Sequence, residues 1–348
     1  MSRLAKGTLF GRVHDFLEIY LPKQQKVSPN TIRSYRKVLE QFLDFVKVRN
    51  HVPLDDVTFE LLTAEVVNEF LADIEAHGRS LSTVNQRLAA IHAFIDYASK
   101  VDIAVVANAK KLEKVSVRKT PSNTAIDYMT EKATSAVLNE PDVATEKGLR
   151  DRCLMMLMYD AGARIQEIID VTVGDLRFAK EPTVILHGKG DRIRVVPFSK
   201  NTAEHLRRHL GIAHKDTGQN PQEPLFYTVI DCKRKPLSLR RVRDMIKEYG
   251  KAAREKCAEV PENVHPHLFR HSRAMHLYQH GMDLTLISQW LGHAQLETTL
   301  VYAHADTEHK RKAIAAATSD GKNSPTNISS KRFTVSDDDT LKRLCGLK

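Results

Sequence analysis

The chain has 348 residues, 42% hydrophobic and 28% charged, which excludes general disorder and, at about 150 residues per domain, points to two domains. Four scattered cysteines with no C-x-x-C pair exclude a disulfide scaffold and a zinc ribbon, and no apolar run reaches the roughly 18 residues of a membrane span. The net charge of +10 suggests a polyanionic partner such as nucleic acid without identifying one.

The first hundred residues read as helices. Phe10, Val13, Phe16, Leu17 and Tyr20 share one helical face. Ser28-Pro29 has the form of an N-cap followed by proline at the first helical position, and Ile32, Tyr35, Leu39, Phe42, Leu43 and Val46 repeat behind it. Leu62, Val66, Phe70 and Ile74 form a third stripe that ends at Gly78. Val84, Leu88, Ile91, Phe94, Ile95 and Ala98 form a fourth, with Ser80 or Ser82 as its cap. Four amphipathic stripes joined by short connections predict a small helical bundle over residues 1–108. Residues 109–127 carry lysines, Ser, Thr and Pro121 with little periodicity, and read as a basic interdomain linker.

Beyond the linker, helices are expected at residues 130–139, 150–159, 202–210 and 239–256, and again from His265 onward. Residues 183–186 and 192–196 read as two strands around the glycine-flanked turn His187-Gly188-Lys189-Gly190-Asp191. Past residue 317 the chain turns polar, and residues 337–347 form a short candidate helix bearing Leu341, Leu344 and Leu347. The first ten residues lack the apolar core of a secretion signal, and the cysteine usage fits a reducing compartment. A soluble cytoplasmic protein, nucleoid-associated when on DNA, is the resulting expectation.

Five features in the second half carry chemistry: Arg164 with Glu167, Lys189 in its glycine turn, His267-Leu268-Phe269-Arg270-His271, Leu291-Gly292-His293, and Tyr302. Each has a bland reading when taken singly. Arg164 reads as a surface helix arginine, Lys189 as a hairpin-tip lysine, Gly292 as a helix C-cap and Tyr302 as one of nine tyrosines. His267, His271, His276 and His280 invite a zinc reading, because histidines four apart share a helical face. The H-E-x-x-H pattern is missing and no acid or cysteine stands at a matching spacing, so no metal is assigned.

Together, the order R-x-x-E, G-K-G, H-x-[LF]-R-H, L-G-H and Y resembles the tyrosine recombinase, or phage integrase, family. Arg270 precedes His293 by 23 residues and Tyr302 follows nine later, as in that family. Residues 28–98 look like its helical core-binding (SAM-like) domain and residues 128–317 like its catalytic domain, with a C-terminal tail at 318–348. The resemblance implies a mainly α fold with a small β-sheet in the catalytic domain, the two domains clamping double-stranded DNA. It also implies a site-specific recombinase or integrase with no cofactor, working as a homo-tetramer on two duplexes, with the tail packing in trans. Accessory DNA-bending proteins and service to a mobile element or phage belong to the same expectation. Ala163, Gln166, Ser272 and Arg273 depart from the residues common in the family, away from the catalytic positions.

The residue types suit displacement at phosphorus, which is largely a matter of positioning and charge stabilisation. Arg164 and Arg270 present planar forks for two non-bridging oxygens. Tyr302 is the expected nucleophile, His267 and His293 are expected to hydrogen-bond the phosphate and shuttle protons, and Lys189 to protonate the leaving 5′ oxygen. Glu167 is expected to orient His267 or Arg164, and His271 to serve packing or to hydrogen-bond a residue behind the reacting groups. By resemblance the product is a 3′-phosphotyrosine link with a free 5′-hydroxyl, formed without metal or ATP. Lys233, Arg234, Lys235, Arg240, Arg241 and Arg243 are the expected contacts to DNA phosphates, against the plainer reading of a solvated surface. The alternatives are a catalytically silent DNA-binding accessory protein, a metal nuclease built on the histidines, and a topoisomerase of the same chemistry.

Overall fold

The computed structural model describes residues 9–119, 126–188, 192–215, 220–293, 295 and 297–305, with positions 337 and 342. The chain divides into two compact units, Met1–Ser122 and Asn123–Lys348.

The first unit is helical. Helix α1 (Leu9–Asp15) runs into a wider π-helical stretch, Phe16–Gln24, which contains Pro22. Helices α2 (Pro29–Asn50), α3 (Ala64–Ala76), α4 (Leu81–Val101) and α5 (Val106–Leu112) follow. Side-chain oxygens of Ser28, Thr63 and Ser80 accept the orphan amides of Thr31, Val66 and Thr83, so each long helix begins where its cap predicts. Phe16, Phe42, Phe70, Leu88 and Phe94 are buried in one core, where Phe16 meets Phe94 edge-on at 5.5 Å between centroids.

Residues 109–119 differ from the expected linker. Helix α5 occupies its start, and Ala109, Leu112 and Val115 are buried in the first unit's core while Lys110, Lys111 and Lys114 face outward. Asn85 and Arg118 exchange two hydrogen bonds of 2.8 and 2.9 Å, which bind the segment to α4. An apolar period of three residues over two turns is too short to stand out among lysines, which is why composition suggested a linker. Residues 120–125 of that stretch, and nearly all of the tail at 318–348, lie outside the described residues.

The second unit comprises α6 (Glu131–Asn139), α7 (Glu146–Ala161), α8 (Ile165–Ile169), β1 (Leu176–Arg177), β2 (Thr183–His187), β3 (Ile193–Pro197) and α9 (Lys200–Ala213). It continues with β4 (Tyr227–Ile230), β5 (Lys233–Pro236), α10 (Leu239–Lys256), α11 (Pro266–Gln279), α12 (Leu284–Leu291) and α13 (Glu297–Ala305). Helix α7 is continuously apolar from Cys153 to Met158, with Cys153, Leu154, Met155, Leu157 and Met158 fully buried, and it packs in the core against α9 and α11. Strands β1, β2 and β3 form one antiparallel sheet, with His187 paired to Ile193 across the expected hairpin. Strands β4 and β5 form a second hairpin, turned by Asp231 and Cys232 at φ 51° and 58°. That turn lacks the Asn-Gly or Asp-Gly signal that such a conformation usually carries, so the sequence did not announce it. The chain is thus mainly α with small antiparallel sheets.

Candidate active site

Helix α7 ends at Gly162, whose φ of 56° reverses the chain, and Arg164 then caps α8. One turn on, Glu167 folds back to accept the Arg164 amide at 2.8 Å and an Arg164 guanidinium N–H at 3.0 Å. Arg194 of β3 grips the same carboxylate from the other side through two bonds of 2.9 and 2.6 Å. Glu167 is only 5% exposed. Burial opposes its ionisation, but the Arg194 and Arg164 hydrogen bonds and charges prevail and hold the carboxyl at about 2. Glu167 is thus bonded to Arg164 and also to Arg194, whose place beside it no local spacing signals.

Arg270 lies on α11, 4% exposed. Its two terminal nitrogens donate to the Gly162 and Leu291 carbonyls, both at 2.7 Å. These are C-terminal carbonyls of α7 and α12, the negative ends of two helix dipoles, so two helix ends aim one guanidinium. Two of its five donors are used in this way. Gly292, at φ 65°, closes α12, and a Cβ there would stand 3.1 Å from Arg194 Nη1. The L-G-H motif thus needs its glycine both for the turn and for room beside Arg194. Burial, then the charges of Arg164 and Arg194, push Arg270 down to about 10.

Tyr302 of α13 is 1% exposed, and its hydroxyl lies 3.0 Å from His271 Nδ1. Burial raises its pKa, while the Arg270 charge opposes the rise. His271 and His293 are both held near 4, by burial first and then by neighbouring positive groups that include Arg270. His267 is lowered by burial and by Arg270, His265, Arg164 and Arg243. The Thr299 hydroxyl occupies His293 Nδ1 at 2.7 Å, leaving Nε2 for a substrate. The structure therefore gathers Arg164, Glu167, His267, Arg270, His293 and Tyr302, and adds Arg194 and His271. Those two were legible as residues, but their partners are set by tertiary pairing rather than by spacing.

Lys189 lies outside the described residues. Its hairpin is rooted at the site, because a Cβ on Gly188 would fall 3.5 Å from Glu167 Oε1. The basic cluster is split. Lys233 and Lys235 are exposed on β5, and Arg240, Arg241 and Arg243 are exposed on the first turns of α10. Arg234, expected among the phosphate contacts, is instead drawn inward by Glu223 at 2.6 Å and the Tyr227 ring at 4.7 Å, since alternate strand residues face opposite ways. Arg243 lines a cleft of about 220 Å³ beside His267, with Lys247 and His265. The histidines of α11 do not converge as ligands: His276 bonds Tyr159 Oη and the Met129 carbonyl through its two ring nitrogens. The unusual Ser272 and Arg273 have structural uses. Ser272 accepts the Met129 amide, and Arg273 stacks on Tyr159 and Trp290.

Comparison with known proteins places the chain in a family. The family described as the phage integrase family matches residues 127–309, and the phage integrase N-terminal SAM-like domain matches residues 13–100. The chain is 32% identical over 321 residues to y4rC of Sinorhizobium fredii, named as an integrase/recombinase, covering 91% of this chain and 92% of that protein. It is 28% identical over 294 residues to the tyrosine recombinase XerC of Thermodesulfovibrio yellowstonii, covering 83% of this chain and 90% of that one. Its fold matches XerH site-specific recombinase bound to a palindromic difH substrate, with TM-score 0.64, 21% identity and coverage of 86% and 83%. It also matches the Tn1549 transposon integrase in complex with transposon right end DNA, with TM-score 0.61, 18% identity and coverage of 88% and 99%. The chain belongs to the phage integrase family, the tyrosine recombinases. Its activity is that of a site-specific recombinase, the breaking and rejoining of DNA strands. No helix among the described residues is long and apolar enough to cross a membrane.

Proposed function

We propose that Tyr302 attacks a phosphodiester of double-stranded DNA to give a 3′-phosphotyrosine link and a free 5′-hydroxyl. The observation that carries this reading is an excess of positive charge: Arg164, Arg194 and Arg270 converge with Glu167 as the carboxylate bonded to two of them. Arg194 and Arg270 are largely buried while Arg164 is partly exposed, so the cluster favours an incoming anion, and a phosphodiester brings that charge together with the reacting centre. Arg164 and Arg270 would bind its non-bridging oxygens, His267 and His293 would hydrogen-bond it, and Lys189 would protonate the leaving 5′ oxygen. Bond energy stored in the adduct lets another 5′-hydroxyl reverse the attack, so rejoining needs neither ATP nor metal.

The organisation that goes with this chemistry is a core-binding domain that takes in residues 109–119 along with 1–108, a short connector up to 127, a catalytic domain at 128–317 and a tail at 318–348 that packs in trans. A homo-tetramer on two duplexes, acting on nucleoid DNA in the cytoplasm for a mobile element, completes the reading. Exposed Lys233, Lys235, Arg240, Arg241 and Arg243 would contact phosphates. The y4rC relative, named an integrase/recombinase, is the support for reading the act as integration. The test is strand exchange on DNA flanking the chain's own gene, in EDTA and without ATP. New junctions read by sequencing are expected. Specific binding of such DNA with no junctions would favour the silent accessory reading instead.

A further inference from the structure

The proposed nucleophile is already hydrogen-bonded to a side chain outside the expected catalytic set. Tyr302 Oη sits 3.0 Å from His271 Nδ1, with ring centroids 5.9 Å apart, while His293 spends its own Nδ1 on Thr299. His271 directly follows Arg270 on α11, so the helix that aims the phosphate-binding guanidinium also presents this imidazole to the attacking oxygen. We infer that His271 is the base that takes the phenol proton of Tyr302 during attack. This inference rests on the recombinase reading with Tyr302 as nucleophile.

The protonation states fit the direction of transfer. Burial keeps the Tyr302 phenol protonated, and His271 near 4 is neutral at pH 7; in the tautomer that carries its hydrogen on Nε2, Nδ1 accepts from the phenol at the observed 3.0 Å. The groups around His271 are His267 and Arg270 on α11, His265 just ahead of it, Asp127 ahead of α6, His293 after α12, and Tyr302 on α13. After burial itself, the charges of His267, Arg270 and His265 weaken His271 as a base, and only Asp127 opposes them. A phosphodiester bound at Arg164 and Arg270 brings the missing negative charge and raises the basicity of His271. The base is thus weak in the free enzyme and strengthened when the substrate is in place.

In the step itself, the Tyr302 Oη–H bond breaks as Oη–P forms, and the proton moves to His271 Nδ1. The electron pair of the P–O5′ bond leaves on O5′, which takes a proton from Lys189. Rejoining runs the same transfers backward, His271 returning its proton to Oη. His267 and His293 are then free to serve the non-bridging oxygens.

The test measures single-turnover adduct formation on the DNA recovered by covalent trapping with the wild type. His271→Gln keeps a hydrogen-bond acceptor but cannot take a proton, and His271→Phe removes both functions. Both should bind this DNA as the wild type does and form adduct about 10²-fold more slowly or worse. The wild-type rate should rise with pH through the His271 titration in the complex, and the Gln variant should lose that limb. A substrate with sulfur in place of the 5′-bridging oxygen has a leaving group that needs no proton. It should restore Lys189→Ala and leave both His271 variants slow. A Gln variant as fast as or faster than wild type would overturn the inference, as would rescue of the His271 variants by sulfur, which would place His271 on the leaving-group side. Failure of the wild type itself to form an adduct at Tyr302 would instead overturn the recombinase reading.

Discussion

Glu167 holds two arginines that would otherwise repel each other, and its own ionisation is the measure of that grip. Its folded pKa of about 2 lies below the ordinary carboxylate value, so its ion pairs stabilise the fold fully above that ordinary value. That stability is lost as pH falls through the folded value. Glu167→Gln should cost about 2–4 kcal/mol at pH 7 by urea denaturation, because it leaves buried guanidinium charge without a counterion. The gap between variant and wild type should close between about pH 4.5 and pH 2; a gap independent of pH would show that the carboxylate acts through packing alone. Gly292→Ala combines left-handed backbone strain with a 3.1 Å approach to Arg194. A loss of roughly 1–3 kcal/mol is expected in thermal unfolding, with a larger relative loss of DNA cleavage than of DNA binding.

At the scale of elements, capped helices were the most legible part of the chain. Ser28, Thr63, Ser80 and Thr130 all cap as side-chain oxygens should, and α10 spans Leu239–Lys256 as its apolar stripe implies. Helix α5 and the β4–β5 hairpin were hidden, the first by its shortness among lysines and the second by a turn without glycine. The candidate site was legible because its motif spacing is specific, whereas Arg194 and His271 acquire their partners only when β3 meets α8 and α13 meets α11. Helix α10 offers an element-scale prediction. Arg240, Arg241 and Arg243 stand at a helix N-terminus, where positive charge opposes the dipole, so their placement favours a polyanion rather than the fold. Replacing all three with Gln should leave thermal stability unchanged or slightly raised. The slope of log K for DNA against log salt should become shallower by about 0.9 per lost phosphate contact. An unchanged slope would remove α10 from the DNA contacts.

At the scale of the molecule, each compact unit carries its own apolar core: one is built from α1 to α5, and the other centres on α7. Residues 1–119 contain every residue of the first core, so this fragment alone should give a helical circular dichroism spectrum and a cooperative melt. A broad, non-cooperative transition would mean that the unit depends on the rest of the chain. Deleting residues 330–348 removes Leu341, Leu344 and Leu347 and should abolish assembly on paired duplexes in native gels while sparing binding to a single duplex. Intact synaptic complexes from the truncated chain would refute packing of the tail in trans.

The central claim is that Tyr302 becomes covalently joined to DNA, and covalent trapping tests it most directly. Wild type and Tyr302→Phe are incubated in EDTA with sheared DNA from around the gene, SDS-resistant adducts are recovered, and the linked peptide and the DNA are both sequenced. The account predicts a wild-type adduct at Tyr302 on one defined site, with none from the Phe variant. An adduct on another residue, or adducts that form equally well with Phe at position 302, would contradict it.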